Sequence, residues 1–294
     1  MRWLITGVTG LVGSSCVEAL SKRHTLHGLA RRPAGGLKGL AGFETCDIAD
    51  GRRVEEVARV FQPDVILHAA ALADVDYCER EPDLAQRVNV EGTRHVAQAA
   101  DTLGALLVFI STDYVFDGKG SRPYREDDPT GPVNVYGRTK VQAEGVVRRV
   151  AERHVIVRST WLFGAGGSVF MRQVLKEAGE KRPLSYVADK ISSPTHAGDL
   201  AEAIEELVLL GRTGTVHVTN AGAASWYDFA CEILRAAHLE NGAGIQRISR
   251  RDLRRDALRP AMTALDNSRF KEWTGRALRP WQEAVRASLS AVYR

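Results

Sequence analysis

The feature that most constrains the fold is a glycine-rich turn near the N-terminus, where Gly7, Gly10 and Gly13 are spaced three apart. An apolar run at residues 2–6 precedes the turn, and a helical pattern through Leu20 follows it. Glycines between a strand and a helix let the backbone approach a pyrophosphate at the helix N-terminus. We expect Gly7 to form the tight turn, Gly10 to leave room for phosphates and Gly13 to pack helix against strand. An ordinary glycine-rich turn is the alternative reading.

Strand patterns alternate with helical patterns in the first part of the chain. Strands are predicted at residues 2–6, 25–30, 43–46, 64–68, 106–110 and 154–158, and helices at 52–61, 83–103 and from Tyr136 to Arg149. This alternation predicts an α/β fold with a doubly wound parallel sheet of the Rossmann type. Such a sheet has its ligand crevice at the carboxyl ends of the strands.

The later chain changes character and predicts a smaller, interleaved α/β C-terminal substrate domain. Its shorter patterns are helical at 169–179, 199–210, 225–238 and 280–292, and strand-like at 184–187 and 215–218. We assign residues 1–162 and 191–218 to a dinucleotide-binding domain. Residues 163–190 and 219–294 are assigned to the substrate domain.

Composition narrows the function classes. The 294 residues are 44% hydrophobic, which is ample for a packed core, and the net charge of +4 does not argue for nucleic acid. No apolar run approaches the roughly 20 residues that span a bilayer, so we expect no membrane partner and a cytoplasmic location. The four cysteines lack the spacing of a zinc site or a disulfide framework, and we predict no metal.

A polar strand end and a following helix carry the predicted chemistry. The apolar run at 106–110 breaks into Ser111, Thr112 and Asp113, and Tyr136 and Lys140 lie one helical turn apart. A nearby ammonium lowers a phenol's pKa from about 10 by about 1–3 units. Lys140 could thus bring Tyr136 toward working pH, so that Tyr136 and Thr112 stabilise charge on a carbonyl oxygen. A Tyr-x-x-x-Lys pair also arises by chance and is weak alone, so its value depends on the other motifs that accompany it.

Three further segments point to the cofactor. The second predicted strand ends in Arg31 and Arg32, and arginine at that place accommodates the 2′-phosphate of NADP, whereas an acidic residue would hold the ribose of NAD. We therefore favour NADPH, with NADH still possible; the alternative is that the arginines begin a solvated loop. Asp47 and Ile48 follow the third strand, beside the expected adenine. The small residues at 69–71 let a flat ligand lie against backbone, or serve helix packing.

Two features of the later chain concern the substrate. Trp161 follows the sixth strand, where an aromatic ring could cover the crevice or simply pack. Residues 247–259 hold six arginines, and a solvated helical face is the commoner explanation of such a run. A diphosphate-bearing substrate would give Arg259 a use, because guanidinium binds phosphate bidentately.

Taken together, these motifs resemble the extended short-chain dehydrogenase/reductase family, most closely its dTDP-4-dehydrorhamnose reductase branch. The resemblance covers nearly the whole chain and is carried by residues 69–76, 111–118, 134–140, 192–195, 259–260 and 264–266. It implies a catalytic role for Thr112, Tyr136 and Lys140, and substrate contacts for Thr112, Asp113 and Trp161. The cofactor positions that it implies are Gly10, Leu11, Val12, Asp47, Ile48, Ala70, Ala71 and Leu72.

The resemblance implies NADPH-dependent reduction of a nucleotide-linked 4-keto-6-deoxy sugar, dTDP-4-dehydrorhamnose to dTDP-rhamnose. Dehydratases of the family have a glutamate where this chain has Tyr114, and they use that carboxylate to eliminate water. Its absence in this chain disfavours elimination. Departures from the branch include Leu72, Lys190 and Ser15, the last at a position that is acidic in members with a magnesium-bridged dimer. A homodimer remains possible. The alternatives are a non-catalytic NADP-binding subunit resembling methionine adenosyltransferase β, and a sugar-nucleotide epimerase or ketoreductase of other specificity.

Overall fold

The computed structural model describes residues 1–33, 35–164, 169–240 and 244–292. Its strands are β1 (Arg2–Thr6), β2 (Thr25–Ala30), β3 (Gly42–Thr45), β4 (Val65–His68), β5 (Leu106–Thr112), β6 (His154–Ser159), β7 (Leu162–Phe163), β8 (Leu184–Val187), β9 (Ile191–Ser192), β10 (Thr195–His196), β11 (Gly214–His217), β12 (Ala224–Ser225) and β13 (Ile245–Ile248). Its α-helices are α1 (Leu11–Leu20), α2 (Gly51–Phe61), α3 (Val75–Arg80), α4 (Pro82–Gln86), α5 (Gly92–Thr102), α6 (Val135–Val150), α7 (Val169–Gly179), α8 (Ala197–Leu209), α9 (Trp226–Ala236), α10 (Ser268–Thr274) and α11 (Trp281–Val292). Position 34 and the parts of the predicted substrate domain at 165–168, 241–243 and 293–294 lie outside the described residues.

Seven strands form one sheet in the order β11-β6-β5-β4-β1-β2-β3. Every neighbouring pair in this sheet is parallel. The chain therefore winds outward from β1 in both directions, and the order reverses between β1 and β4. This arrangement confirms the predicted doubly wound fold and puts its crevice at the carboxyl ends of those strands.

Both faces of the sheet are covered by helices, which explains why the central strands are continuous apolar runs. On one face, Trp3 and Val157 share a buried cluster with Val17 of α1 and Ile204 of α8. On the other face, a second buried cluster joins Phe109 to residues of α2, α5 and α6. The long apolar strands are thus explained by burial on two sides.

The predicted bounds are accurate for most long elements, and the differences are local. The helix predicted at 83–103 is split, because a π-helical turn at Arg87–Glu91 separates α4 from α5. The short helices α3 and α10 and the short strands β7, β9, β10, β12 and β13 were not predicted. These elements have too few residues for a hydrophobic period to be visible.

A third buried cluster lies in the later chain and packs α7, α9 and α11 together. It includes Phe163, Leu184, Phe229 and Trp281. This separate core is in keeping with a second domain, but the domain boundaries remain a prediction. Across the described residues, no helix combines the length and the apolar character needed to cross a bilayer.

Candidate active site

The glycine turn joins β1 to α1 in the conformation expected of it. Gly7 has φ +69°, and a Cβ there would lie 2.7 Å from the backbone of Ala70. A Cβ on Gly13 would lie 2.5 Å from the carbonyl oxygen of Gly7, so only glycine allows this helix to pack so closely. Gly10 is the N-cap of α1 and offers no side-chain acceptor. The first-turn amides, beginning at Leu11, therefore keep their capacity to bind an anion.

A cavity of about 330 Å³ lies beside this turn, at the carboxyl ends of the strands around the reversal of strand order. Its lining comprises Gly7, Thr9, Gly10, Leu29, Ala30, Arg31, Arg32, Cys46, Asp47, Ile48, Ala69, Ala70, Ala71 and Val88. Most of the predicted cofactor residues thus share one cavity. The predicted cofactor residues that are not part of its lining are Leu11, Val12, Gly13, Leu72, Tyr136 and Lys140. Val12 belongs to α1 and is buried in the core.

Arg31 and Arg32 are exposed at the edge of this cavity and form no hydrogen bond or ion pair with any described residue. The cavity therefore has the first-turn amides of α1 on one side and two unpaired guanidinium groups at its edge. A dinucleotide with an additional phosphate has the matching charges. The carboxylate of Asp47 accepts a hydrogen bond from the amide of Ala49, 3.0 Å away.

A chain of buried hydrogen bonds holds the backbone at 69–72 in place. The amide of Ala70 donates to Thr6 Oγ1 (3.3 Å), and Thr6 Oγ1 lies 2.7 Å from Nδ1 of His68. Nε2 of His68 lies 3.0 Å from Thr93 Oγ1, which donates to the carbonyl of Asn89 (2.6 Å). Since the Thr93 hydrogen is used on Asn89, we assign the hydrogen of the His68 ring to Nε2. Burial lowers the pKa of His68 to about 3, with a further contribution from the Lys140 charge.

Asn89 connects the cofactor side to the catalytic helix. Its side chain accepts from the amide of Leu72 (2.8 Å) and donates to the Leu72 carbonyl (3.1 Å) and to Thr139 Oγ1 (3.0 Å). Asn89 sits in the π-helical turn, a distortion that often occurs at functional sites. Asn89 therefore holds Leu72 through its backbone amide and carbonyl, and these contacts do not depend on the Leu72 side chain.

The start of α6 is anchored from three sides. Asn134 caps the helix by accepting from the amide of Gly137 (2.8 Å), and its side-chain nitrogen donates to the carbonyl of Leu258 (2.8 Å). Glu79 of α3 accepts from the amide of Val135 (2.9 Å). These contacts fix the first turn of α6, which carries Tyr136.

Lys140 lies one turn further along α6 and is buried. Its ammonium donates to the carbonyl of Ile110, 2.8 Å away, and lies 4.0 Å from the centre of the Phe109 ring. Burial lowers the pKa of Lys140 to about 7, although the Glu144 charge acts in the opposite direction. Lys140 is thus held against the end of β5.

Thr112 ends β5 and lies close to Tyr136. Its hydroxyl donates to Asp113 Oδ1 (3.1 Å) and accepts from the amide of Tyr114 (3.2 Å). Burial raises the pKa of Tyr136, and a hydrogen bond with the Thr112 side chain offsets only part of that rise. The prediction that Lys140 lowers this pKa is wrong for this structure, because burial and the neighbouring groups Asp113, Cys78 and Tyr114 all raise the pKa, and only the hydrogen bond with Thr112 lowers it. Tyr136 is therefore a protonated phenol at neutral pH.

Asp113 is 2% exposed, and its carboxylate is surrounded by hydroxyl groups. Ser192 donates to Oδ2 (3.1 Å) and Thr112 to Oδ1. Burial raises the pKa of Asp113, while the Lys190 charge and hydrogen bonds from Thr263, Thr160 and Thr112 lower it. In this structure the Asp113 carboxylate accepts hydrogen bonds from the neighbouring hydroxyls of Thr112 and Ser192. The contact between Asp113 and the substrate stays a prediction.

Trp161 adopts a strained backbone conformation for an aromatic residue, with φ +42°. Its ring stacks on Trp226 at 3.8 Å between centres, with 16° between the planes. Its indole nitrogen is buried and has no hydrogen-bond partner among the described residues. A strained aromatic with an unpaired donor is in keeping with the predicted contact to a ligand.

A second cavity, of about 740 Å³, opens between the main sheet and the later elements. Its lining comprises Val75, Tyr114, Phe170, Gln173, Ser185, Tyr186, Val187, Lys190, Trp226, Ile248, Arg250, Arg251, Leu253, Arg255, Ala257, Leu258 and Arg259. Five of these side chains are cationic and none is acidic. This cavity therefore suits a ligand that carries phosphate groups.

The arginine-rich run at 247–259 is not the solvated helical face that was preferred from the sequence. It forms β13, a single 3-10 turn at Arg250–Asp252 and an extended segment, and it contributes four arginines to the cavity. Parallel pairing of β13 with β8 holds the run along the cavity. Because β8 and β13 are about sixty residues apart in the sequence, nothing within residues 247–259 indicates this pairing.

Arg259 lines this cavity, as its predicted role requires, but it also has a protein partner. It forms a two-pronged ion pair with Asp76 of α3 at 2.9 and 3.1 Å. The amide of Ala257 donates to the same carboxylate (3.0 Å), and Arg255 lies 3.5 Å from it. Contact of Arg259 with a diphosphate stays a prediction.

A buried ion pair, absent from the sequence predictions, supports the catalytic helix from behind. Glu144 of α6 accepts two hydrogen bonds from Arg158 of β6, each 2.8 Å long, and one from Ser111 of β5 (2.6 Å). The carboxylate pKa is lowered by Arg158 and Ser111 despite its burial. This network fixes α6 to both strands. No group of three His, Cys, Asp or Glu side chains capable of holding a metal occurs in the described ranges.

The sequence matches the family described as the RmlD substrate binding domain over residues 1–294. This chain belongs to the RmlD family. The dTDP-4-dehydrorhamnose reductase of Streptomyces griseus is 37% identical over 297 residues, covering 99% of this chain and 94% of that protein. The spore coat polysaccharide biosynthesis protein SpsK of Bacillus subtilis (strain 168) is 39% identical over 271 residues, covering 87% of this chain and 94% of that protein.

A solved structure is also similar to this RmlD-family chain. The dTDP-4-dehydrorhamnose reductase of Bacillus anthracis str. Ames, in complex with NADP, superposes with a TM-score of 0.91 at 31% identity and covers 99% of each chain. Family membership confirms the resemblance to extended short-chain dehydrogenases/reductases and the predicted Rossmann-type fold.

Several residues of the RmlD-family site were missed from the sequence. Asn89, Glu144 and Arg158 are buried polar side chains. Asn89 and Glu144 lie in helical segments and Arg158 lies in β6. A polar residue inside an otherwise apolar helical stripe or strand is the one signal that could have found them. Asp76 could not have been paired with Arg259, since 183 residues separate them. Lys190 was noted only as a departure from the family pattern.

Proposed function

We propose that this protein reduces the 4-keto group of a nucleotide-linked 6-deoxy sugar, dTDP-4-dehydrorhamnose, to give dTDP-rhamnose, with NADPH as the reductant. The observation that carries the proposal is the meeting of Thr112 and Tyr136 at the end of β5. The ring of Tyr136 contacts that of Tyr114, which lines the basic cavity, and the glycine-turn cavity lies at the carboxyl ends of strands in the same sheet. The family, and the names of the relatives, are in keeping with this reaction.

The cofactor site is proposed from charge and shape. The first-turn amides of α1 would hold the pyrophosphate, and Arg31 and Arg32 the 2′-phosphate. Asp47 and Ile48 would lie beside the adenosine, and the small residues at 69–71 would allow close approach. NADPH, when bound, supplies the hydride.

Tyr136 is the proposed proton donor. Since burial raises its pKa, the phenol holds its proton at neutral pH and can give it to the carbonyl oxygen as charge develops there. The Thr112 hydroxyl would add a second hydrogen bond to that oxygen, after turning away from Asp113. Asp113 would keep Thr112 oriented before the substrate arrives.

Lys140 would act on the cofactor side of the same site. Its ammonium is held by the Ile110 carbonyl, and its remaining donors could bind the nicotinamide ribose. Asn89 and Glu144 would position the helix that carries both residues.

The basic cavity is proposed to hold the nucleotide sugar. Arg250, Arg251, Arg255 and Arg259 would bind the diphosphate, with Arg259 exchanging its contact to Asp76 for phosphate oxygens. Trp161 would cover the sugar. A cytoplasmic location and a homodimer are the corresponding expectations, to be checked by cell fractionation and by light scattering.

The test is reduction of authentic substrate by the purified protein. Loss of the reduced-nicotinamide absorbance is expected when dTDP-4-dehydrorhamnose is added with NADPH, together with formation of dTDP-rhamnose. A protein that binds NADPH and turns over no ketosugar nucleotide would refute the proposal and favour a non-catalytic cofactor-binding subunit. Product identification separates reduction from epimerisation.

A further inference from the structure

Lys190 is a buried cation on the wall of the basic cavity. It lies between β8 and β9, is only 4% exposed and lines the 740 Å³ cavity. Its ammonium donates to the hydroxyl of Tyr114 and lies 4.5 Å from the centre of the Tyr114 ring and 5.7 Å from that of Trp161. Two aromatic rings therefore surround the charge on the protein side.

The other cations of this cavity differ from Lys190 in their partners or exposure. Arg259 and Arg255 share Asp76, and Arg250 donates to the carbonyl of Arg259 and is exposed, as is Arg251. Lys190 forms no ion pair with any described residue. Burial of a charge that has no ion-pair partner is costly, and the charge of Asp113, which acts on Lys190 without a direct ion pair, offsets part of this cost. A ligand in the cavity that accepts hydrogen bonds from the ammonium would offset more.

The ammonium also has unused hydrogen-bonding capacity. It carries three N–H donors, and within the described structure only the Tyr114 hydroxyl accepts one of them. Burial lowers the pKa of Lys190 to about 8, while the Asp113 charge raises it and the Arg259 and Arg255 charges lower it. The side chain is thus mainly charged at neutral pH, with two donors available to a molecule in the cavity.

Lys190 is close to the reacting centre through Tyr114. Tyr114 follows Thr112 by two residues, and its ring meets the Tyr136 ring edge-on at 6.0 Å between centres. Tyr114 therefore contacts both the ammonium and one of the two residues proposed to hold the carbonyl. With its carbonyl at Thr112 and Tyr136, a hexose would have the hydroxyl groups next to that carbonyl on the side of Tyr114 and Lys190.

We propose that Lys190 is a specificity-determining residue, which donates hydrogen bonds to a hydroxyl of the hexose one or two carbons from the carbonyl. The enzyme would thereby select 4-keto sugars that carry this hydroxyl over deoxygenated ones. The inference rests on the proposed function and concerns the sugar, whereas the four arginines would serve the diphosphate. A site that hydrogen-bonds a substrate hydroxyl rejects analogues without it, because the buried donor is left unpaired.

The experiment compares sugars across matched variants. The kcat/KM of wild type, Lys190→Met and Lys190→Gln is measured with dTDP-4-dehydrorhamnose and with its 2-deoxy and 3-deoxy analogues. Lys176→Met is the control, since Lys176 is exposed on α7 and lines neither cavity. NADPH affinity of each variant, measured by fluorescence titration, checks that the cofactor site is intact.

For wild type and Lys176→Met, we expect at least one deoxy analogue to lose about 10- to 100-fold in kcat/KM, the range of a charge-assisted hydrogen bond. Lys190→Met should abolish that discrimination, and Lys190→Gln, which keeps a neutral donor, should retain part of it. A merely structural Lys190 would change all three sugars equally and leave the ratio intact, which overturns the inference. No discrimination by wild type also overturns it. If wild type reduces none of the sugars, the proposed function falls as well, so the two failures are distinguishable.

Discussion

Acidification should destabilise this protein well above the pH at which its carboxylates titrate, because two histidines are buried in neutral form. Burial lowers the pKa of His68 to about 3, and the same cause, aided by the Arg158 charge, lowers the pKa of His217 to about 3. Nδ1 of His217 lies 3.1 Å from the carbonyl of Tyr124, and its Nε2 faces the Arg158 guanidinium at 3.4 Å. Adding a second proton to either imidazole would therefore place a charge in a buried site, and in His217 the new N–H would face a guanidinium.

The sign and size follow from proton linkage. An unfolded histidine takes up a proton below about pH 6.5, whereas these two do so only near pH 3, so stability is full above about pH 6.5 and falls as the pH decreases toward 3. Each group costs about 1.4 kcal/mol per pH unit in that window. At pH 5 the loss is about 2 kcal/mol per histidine and about 4 kcal/mol for both, a large share of a typical 5–15 kcal/mol. His27, whose pKa burial also lowers, adds in the same direction.

The assay is urea unfolding of wild type, His68→Asn, His217→Asn and His238→Asn at several pH values from 7 to 5. Each buried-site variant should lose about half of the pH dependence, because asparagine does not titrate there. His238 is exposed at the C-cap side of α9, and its variant should retain the full dependence. A wild-type free energy of unfolding that stays constant from pH 7 to pH 5 would refute the reasoning. So would an undiminished slope in both buried-site variants.

Two further predictions concern the proposed reaction. Tyr136→Phe should lower kcat by about 10²- to 10⁴-fold, the usual contribution of a positioned proton donor, while the Kd for NADPH stays unchanged in a fluorescence titration; retained turnover would remove Tyr136 from the chemistry. The double variant Arg31→Ser, Arg32→Ser should weaken NADPH binding by about 10- to 100-fold through loss of charge-assisted contacts to phosphate, and leave NADH binding unaltered. An equal loss for both nucleotides would show that the arginines do not face a 2′-phosphate.

Most of the main sheet could be predicted from the sequence, because its strands are buried on both faces and its helices are long. The strand at Arg2–Thr6 matches its predicted bounds, and the first helix ends at Leu20 as predicted, although it begins at Leu11, inside the glycine-rich segment. Gly7 and Gly13 have the predicted steric roles, whereas the phosphate role of Gly10 stays a prediction. In this part of the chain, the residues whose apolar pattern predicts a buried strand or helix face are the ones buried in the structure. The cavity residues that follow strand ends, such as Arg31 and Asp47, were found for the same reason.

The substrate side could not be predicted equally well, since it depends on contacts between distant segments. The arginine-rich run lies along the cavity because β13 pairs with β8, and Arg259 is held by Asp76. Neither contact has a local signature. The pKa of Tyr136 was misjudged because motif spacing reveals the neighbouring lysine but not the depth of burial, which dominates.

The central claim is that one site on this chain brings a nicotinamide and a nucleotide-linked 4-keto sugar together for hydride transfer. It is tested most directly by incubating the purified protein with dTDP-4-dehydrorhamnose and NADPH carrying deuterium on the transferring carbon of the nicotinamide, and analysing the product by NMR and mass spectrometry. The account predicts dTDP-rhamnose with one deuterium at the former carbonyl carbon. Recovery of unreduced sugar, or of a reduced product without deuterium at that carbon, would contradict it.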